Sequence, residues 1–223
     1  DVAERVRKLY VDGGKSSVNG APLRVISCHL GGSSSVTGIH NGVSIGTSMG
    51  MSPQSGLPQN NRVGDLDAEA IPYAVKTSGI TIEEAQRQLT KESGLKGISG
   101  VSNDIRDVST AAEQGNANAK LALDVYVASA RHWIGSYFFE LGGADAIVFT
   151  AGIGENRAEL RDAICANLAD LGIELDSALN VSTRATETII SKSSSRVKVL
   201  VIPTNEELVV ARETKRLLEN SRN

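Results

Sequence analysis

Near the middle of the chain an apolar stretch, Ala146-Ile147-Val148-Phe149, runs through Thr150 into Ala151-Gly152-Ile153-Gly154-Glu155-Asn156. A short apolar run that ends in glycines reads as a buried strand. Residues 152–156 then read as a turn, and 157–171 as a helix closed by Gly172. Strand, Gly-x-Gly turn and helix N-terminus form an arrangement whose backbone N–H groups accept nucleotides. The spacing is not G-x-G-x-x-G, so it does not specify a dinucleotide. Asn156 and Glu159 also read as a helix-capping pair.

The surrounding sequence fits a sheet covered by helices. Residues 117–141 form a long helical pattern with Leu121, Val125, Ala128, Trp133 and Tyr137 spaced for burial. Upstream, 23–29, 35–39 and 43–47 read as three successive antiparallel strands. The first corner lies at 31–35 and the second at Asn41-Gly42, where both positions tolerate positive φ. Residues 1–10 are helical, with Val2, Val6 and Leu9 on one face, and 13–20 are a loop. Residues 48–67 read as an ordered functional loop, 68–75 and 82–89 as helices, the second capped by Thr81 and Glu84. Residues 93–101 read as a glycine-rich loop, 191–195 as a polar loop, 197–202 as the last strand and 206–218 as the last helix. Strands first, then strand–helix alternation, indicate an α/β fold with a mixed sheet and helices on its faces.

Composition removes several function classes. The chain has 223 residues and a net charge of −3, which gives no reason to expect nucleic acid or an anionic membrane as partner. No apolar run approaches the roughly 18 residues of a membrane helix. The start, Asp1-Val2-Ala3-Glu4-Arg5, has no signal-peptide pattern and reads as the inside of a helix, so the chain is expected to be part of a longer protein. Cys28 and Cys165 lie far apart in apolar runs without metal spacing, and read as reduced core residues of a cytosolic protein.

Four clusters carry chemistry. In His29-Leu30-Gly31-Gly32-Ser33-Ser34-Ser35 the glycines let backbone approach a phosphate and the hydroxyls add donors; alone, it also reads as a plain glycine hairpin. In Asn60-Asn61-Arg62-Val63-Gly64-Asp65-Leu66-Asp67 an arginine braced by carboxylates suits an oxyanion, or a surface ion pair. The third cluster is the junction at 146–156. In the fourth, Thr204 and Glu207 read as a capping box, leaving Glu206 for Mg²⁺ or for solvent.

The order of these clusters resembles the acetate kinase family. The family pattern H-L-G-N-G-S-S falls on 29–35, T-S-M-G-x-(T/S)-P-x-x-G-L on 47–57, R-x-G-D-(I/L)-D on 62–67, S-x-D-x-R on 102–106, F-T-x-G-I-G-E-N on 149–156 and I-P-T-N-E-E-L on 202–208. The resemblance implies the ribonuclease-H-like fold of the sugar kinase, heat-shock and actin superfamily, with helices on both faces of a mixed sheet. It implies transfer of phosphate between ATP and acetate. Propionate or another short-chain carboxylate is an alternative acceptor, and a non-catalytic dimerisation or regulatory module that kept the fold is an alternative role. His29, Gly31, Gly32 and Ser33 would line the ATP phosphates. Asp104, Ile105 and Arg106 would meet the adenine end, and Gly152, Ile153, Gly154, Glu155 and Asn156 would form the adenosine loop. Arg62 would be catalytic, stabilising the transferring phosphoryl group, and Glu206 would bind Mg²⁺. A cytoplasmic homodimer is implied as well.

The chain departs from that pattern in three ways. Gly32 and Ser33 stand where the family has Asn-Gly, so one side-chain amide is missing. Asn60-Asn61 stand where the family has Gly-Thr before the arginine. The family's N-terminal domain, with a transition-state histidine and further Asn, Arg and Asp groups, is not in these residues. The resemblance therefore divides the chain into 1–20, the end of an upstream helix and linker, and 21–223, the ATP-binding C-terminal domain with the dimer interface. By itself the chain is expected to be inactive.

Overall fold

The computed structural model describes residues 2–12 and 23–220. One sheet has the order β3-β2-β1-β4-β6-β5. Its strands are β1 (Arg24–Leu30), β2 (Ser34–His40), β3 (Val43–Thr47), β4 (Ala146–Thr150), β5 (Thr188–Ile189) and β6 (Lys198–Val201). The first three form the expected antiparallel meander. Asn41 (φ 51°) and Gly42 (φ 87°) make a turn whose twist matches that of the strands it joins. β4 pairs in parallel with both β1 and β6, and β5 adds an antiparallel edge. The sheet is mixed, as the sequence pattern requires.

Period-two alternation divides the apolar residues between the sheet's faces. Ile26, Cys28, Leu30, Ile147, Phe149, Val199 and Val201 join the larger core, together with residues of α5 (Ile105–Glu113), α6 (Ala117–Glu140) and α8 (Ala158–Cys165). Val25, Ala146, Val148 and Leu200 belong to a smaller cluster completed by Val6 of α1 (Val2–Asp12). The side chain of Leu9 and the loop at 13–20 lie outside the described residues. Cys28 and Cys165 are free and buried, and burial pushes both thiols up. Among the described residues no helix is long and apolar enough to cross a membrane.

Helix α6 presents a different face from the one its large residues suggest. Ala119, Ala122, Tyr126, Ala130, Ile134 and Tyr137 are buried, whereas Leu121 is 52% exposed and Ala128 is exposed. Alanines let the helix approach closely, and proximity decides burial here more than side-chain size. The same approach explains two strand glycines. A Cβ at Gly38 would lie 2.6 Å from the Tyr137 ring, and one at Gly46 3.0 Å from it.

Local signals placed several other elements incorrectly. Residues 93–101 are not a loop: α4 (Gly94–Ser99) forms there, ended by Gly100 in the left-handed region. Residues 152–156 are not a turn but part of α7 (Ala151–Asn156). The helix expected over 157–171 stops at Cys165, because Ala166 is extended and Asn167 has φ 59°. A 3-10 turn, Ala169–Leu171, then leads to Gly172, whose left-handed cap was anticipated. The first of the paired helices is α2 (Ala70–Ser78), later than expected. In α3 (Ile82–Lys91) the Thr81 side chain accepts from the Glu84 N–H as predicted. α5, α9 (Ser177–Ser182) and β5 had no recognised signal. The last described element is α10 (Glu206–Asn220), capped by Asn205 accepting from Leu208 N–H rather than by Thr204.

Gly94 ties α4 to the loop at 59–62. The Ser93, Leu95 and Lys96 N–H groups donate to the carbonyls of Asn61, Gln59 and Asn60 at 3.2, 2.8 and 3.0 Å. A Cβ on Gly94 would lie 2.0 Å from Gln59 O, and its φ is +61°. Gly94→Ala is expected to destabilise by roughly 2–4 kcal/mol through overpacking and backbone strain. Gly135, inside α6 with nothing within 4 Å of an added Cβ, is the contrast. Gly135→Ala is expected to stabilise by about 0.5–1 kcal/mol. Denaturant unfolding of the two variants checks both signs.

Candidate functional site

The site lies beyond the C-terminal ends of the parallel strands β1 and β4, where open α/β sheets accept ligands. His29 pairs in register with Thr150, so the turns that follow the two strands lie side by side. Ala151 has φ 65°, which turns the chain sharply from β4 into α7. A Cβ on Gly31 would come within 3.3 Å of Ala151 Cβ and of Ser33 O, a crowding that glycine relieves. The buried Ser34 hydroxyl donates to Gly31 O (3.0 Å) and accepts from Gly31 N–H (3.3 Å). Behind it the Tyr126 hydroxyl of α6 lies 2.9 Å from Ser34 Oγ. The first glycine turn is thus pinned by a side chain 92 positions away.

Helix α7 is held by a buried cation. Arg161, fully buried, donates to Gly154 O (2.9 Å), Glu155 O (3.0 Å), Asn180 O (2.8 Å), Thr183 O (3.2 Å) and Asn180 Oδ1 (2.8 Å). These bonds satisfy carbonyls at the ends of α7 and α9. No carboxylate joins the network, and burial is the main cause that pulls the Arg161 pKa down to about 10. The Glu155 carboxylate accepts from Thr204 N–H (3.0 Å) and Oγ1 (3.3 Å). That use locks the segment before α10 and engages the carboxylate of the expected ligand loop. Gly154 is buried against Phe149 and the Cys28 carbonyl, so it serves packing. Asn156 does not cap α8. Its amide donates to Gly152 O, and Arg157 occupies the cap position without a side-chain bond.

The third wall is the N-terminus of α5. Asp104 caps it by accepting from the Arg106 N–H (2.9 Å), and the Arg106 guanidinium folds back onto the same carboxylate. That pairing, first through the side chain and then through the backbone bond, lowers the Asp104 pKa to about 2.

Arg62 is braced, but not by the acids expected. Its Nη1 donates to Ser33 Oγ (2.9 Å) and to Gln59 Oε1 (3.0 Å). Asp65 accepts from Gly56 N–H and Asp67 from Glu69 N–H, so both carboxylates shape loop backbone. Among the described residues Arg62 has no ion-pair partner, and its Nε and Nη2 make no hydrogen bond. Short loops favour acids that satisfy local N–H groups, a competing use that sequence proximity conceals.

These walls enclose a cavity of about 640 Å³. Of the residues singled out from sequence, Gly31, Gly32, Asp104, Ile105, Arg106, Gly152, Ile153 and Asn156 line it. His29, Ser33, Arg62, Gly154 and Glu155 do not, although Arg62 bonds to Ser33 directly after the Gly31-Gly32 turn. The Glu206 side chain lies outside the described residues. Asn60, Asn103, Arg157 and Arg184 also line the cavity. Arg157 directly follows the glycine motif, a signal that was available. Arg184 follows α9, which no pattern announced. Three arginines against one aspartate make the cavity suited to an anion.

A family model described as the acetokinase family matches residues 11–212. The chain is 50% identical over 201 residues to the acetate kinase of Treponema denticola, covering 90% of this chain and 50% of that protein. It is 44% identical over 214 residues to the acetate kinase of Methanosarcina acetivorans, covering 95% and 52%. Among solved structures, Porphyromonas gingivalis acetate kinase superposes with a TM-score of 0.90 at 34% identity, over 97% of this chain and 53% of that one. A propionate kinase from Francisella tularensis gives 0.84 at 37%, over 95% and 52%. The chain spans about half the length of the curated relatives it matches.

Arg161→Met keeps the bulk and removes five hydrogen bonds. Leaving several buried carbonyls unpaired is expected to cost about 3 kcal/mol or more, read as a lower denaturation midpoint. Asp104 gives a pH test. Its folded pKa, about 2, lies below the ordinary 3.8, so its contribution is complete above the ordinary value and is lost as pH falls through 2. Asn caps almost as well as Asp, so Asp104→Asn isolates the charge. The gap in melting temperature between the two proteins should be widest above pH 4 and close by pH 2.

Proposed function

The chain belongs to the acetokinase family, and on that premise we propose that it is the nucleotide-binding half of an ATP-dependent carboxylate kinase acting on acetate. The observation that carries this reading is the cavity between the Gly31-Gly32 turn, the start of α5 and the start of α7. Its volume is in the range of small-molecule sites. Gly32 is the exposed residue of the first glycine turn and is open to phosphate oxygens, and the cavity's arginines oppose their charge. Ile105 and Ile153 supply apolar surface for the nucleoside.

Arg62 is the group proposed to act on the reacting phosphoryl. In the complete enzyme a carboxylate oxygen attacks the γ-phosphorus, the bond to the bridging oxygen breaks, and ADP and an acyl phosphate form. Charge spreads over the equatorial oxygens during transfer, so a cation fixed in advance lowers the barrier. Ser33 and Gln59 fix Nη1 and leave the other guanidinium donors available. Among the described residues no group of three or more His, Cys, Asp or Glu is placed to hold a metal by itself. Asp104 and Glu155 are engaged by Arg106 and Thr204. Magnesium bound with nucleotide keeps phosphate and water ligands and needs only one or two carboxylates. Glu206 remains the proposed protein contribution. The same reading makes the assembled enzyme a cytoplasmic homodimer. Relatives named for acetate and for propionate superpose well on this half, which supports placing acyl preference outside the nucleotide cavity.

Calorimetry on the 223-residue chain should show ADP and ATP binding; no binding at millimolar nucleotide would overturn the reading. Gly152→Val is the matched control. Nothing lies within 4 Å of an added Cβ, so the fold tolerates the side chain while it intrudes on the cavity, and affinity should fall by about tenfold or more, roughly 1.4 kcal/mol. With acetate, ATP and hydroxylamine the chain alone should give no acyl hydroxamate. Joined to the N-terminal half of a relative it should turn over, and Arg62→Ala should then lower kcat by roughly 10³–10⁵, with ATP KM little changed.

A further inference from the structure

The Asn60 side chain is an unexplained polar group in the cavity wall. Its Oδ1 is buried without a partner, and among the described residues its Nδ2 makes no hydrogen bond either. Its backbone is firmly placed, because Asn60 O accepts from Lys96 N–H at the start of α4. The side chain lines the cavity, and Nδ2 lies 3.5 Å from the position a Cβ on Gly32 would take. The oxygen is shielded from water, which leaves Nδ2, a donor only, as the edge of the amide open to the cavity.

We infer that Asn60 is a phosphate-binding residue of this site, its amide N–H donating to a phosphate oxygen of a bound nucleoside di- or triphosphate above the Gly31-Gly32 turn. The inference rests on the nucleotide reading of the cavity and adds a residue to it. It also joins two departures of the sequence into one. Position 32 lacks the amide that the family pattern places there, and the Asn60 amide lies beside that position. A Cβ at Gly32 would stand at ordinary contact distance from Nδ2, so a larger side chain there would share that space with Asn60. The nearby Arg62, held through Ser33, would face the same phosphate group.

Calorimetry with ADP and with adenosine tests the assignment, on the unaltered chain and on Asn60→Ala, Asn60→Asp and the double exchange Gly32→Asn/Asn60→Gly. Asn60→Ala should weaken ADP about tenfold and leave adenosine within about twofold. Asn60→Asp, similar in shape but negative, should weaken ADP further. The double exchange should recover most of the ADP affinity that Asn60→Ala loses. Equal losses for ADP and adenosine would mean that Asn60 only supports the loop, and would overturn the assignment. Unchanged ADP affinity in Asn60→Ala, with Gly152→Val still impaired, would remove Asn60 while leaving the nucleotide site intact. No ADP binding by the unaltered chain would overturn both.

Discussion

The parallel pairing of β1 with β4 is the constraint on which the site depends. It sets His29 opposite Thr150 and makes both strands release their turns at the same edge of the sheet. The two turns are then so close that a Cβ at Gly31 would crowd Ala151, which is itself left-handed. Non-glycine residues adopt that conformation at a cost, usually where surrounding structure fixes them. Here the surroundings are β4 before it and the Arg161-clamped α7 after it.

Each functional wall is held from behind by groups far away in the chain. Tyr126 and Ser34 hold the first turn. Arg161 gathers the ends of α7 and α9. The first turn of α4 receives the carbonyls of 59–61 and so positions Arg62. Each device satisfies backbone groups that would otherwise be buried and unpaired, the same requirement that shapes helix caps elsewhere. Asn60 Oδ1 and the outer donors of Arg62, by contrast, are left short of partners among the described residues, and a bound anion is the partner proposed for Arg62 and for the Asn60 amide N–H.

The sheet also explains why the helices differ in their reliance on sequence pattern. α6 crosses the main core and is covered on several sides, so a simple stripe does not describe it. Alanines at 119, 122 and 130 bring it near β1 and β2, and glycines in β2 and β3 receive Tyr137. Small residues on both partners achieve an approach that larger ones would prevent. The short helices α4 and α7 begin or continue in glycine-rich sequence, where local propensity argues for loops. Their N–H groups and carbonyls are satisfied by tertiary partners, which outweigh that propensity.

The sequence alone determined five of the six strands, the meander with its Asn41-Gly42 turn, the mixed α/β class, the four clusters and the family they resemble. Those features depend on residues close in the chain: alternation, turn residues and fixed spacing. It placed eight of the lining residues at the site for the same reason, since each belongs to a contiguous motif. Tertiary structure decided which atoms of those motifs face the cavity. Glu155 lies in a ligand-like motif, yet a threonine 49 positions away takes its carboxylate. Asp65 and Asp67 flank Arg62, yet turn to loop N–H groups, and a serine from the first turn braces the arginine instead. Asn60 looked like a departure from pattern until the fold set its amide over Gly32. A side chain's role depends on the strongest partner within reach, and that reach is measured across the folded sheet rather than along the chain.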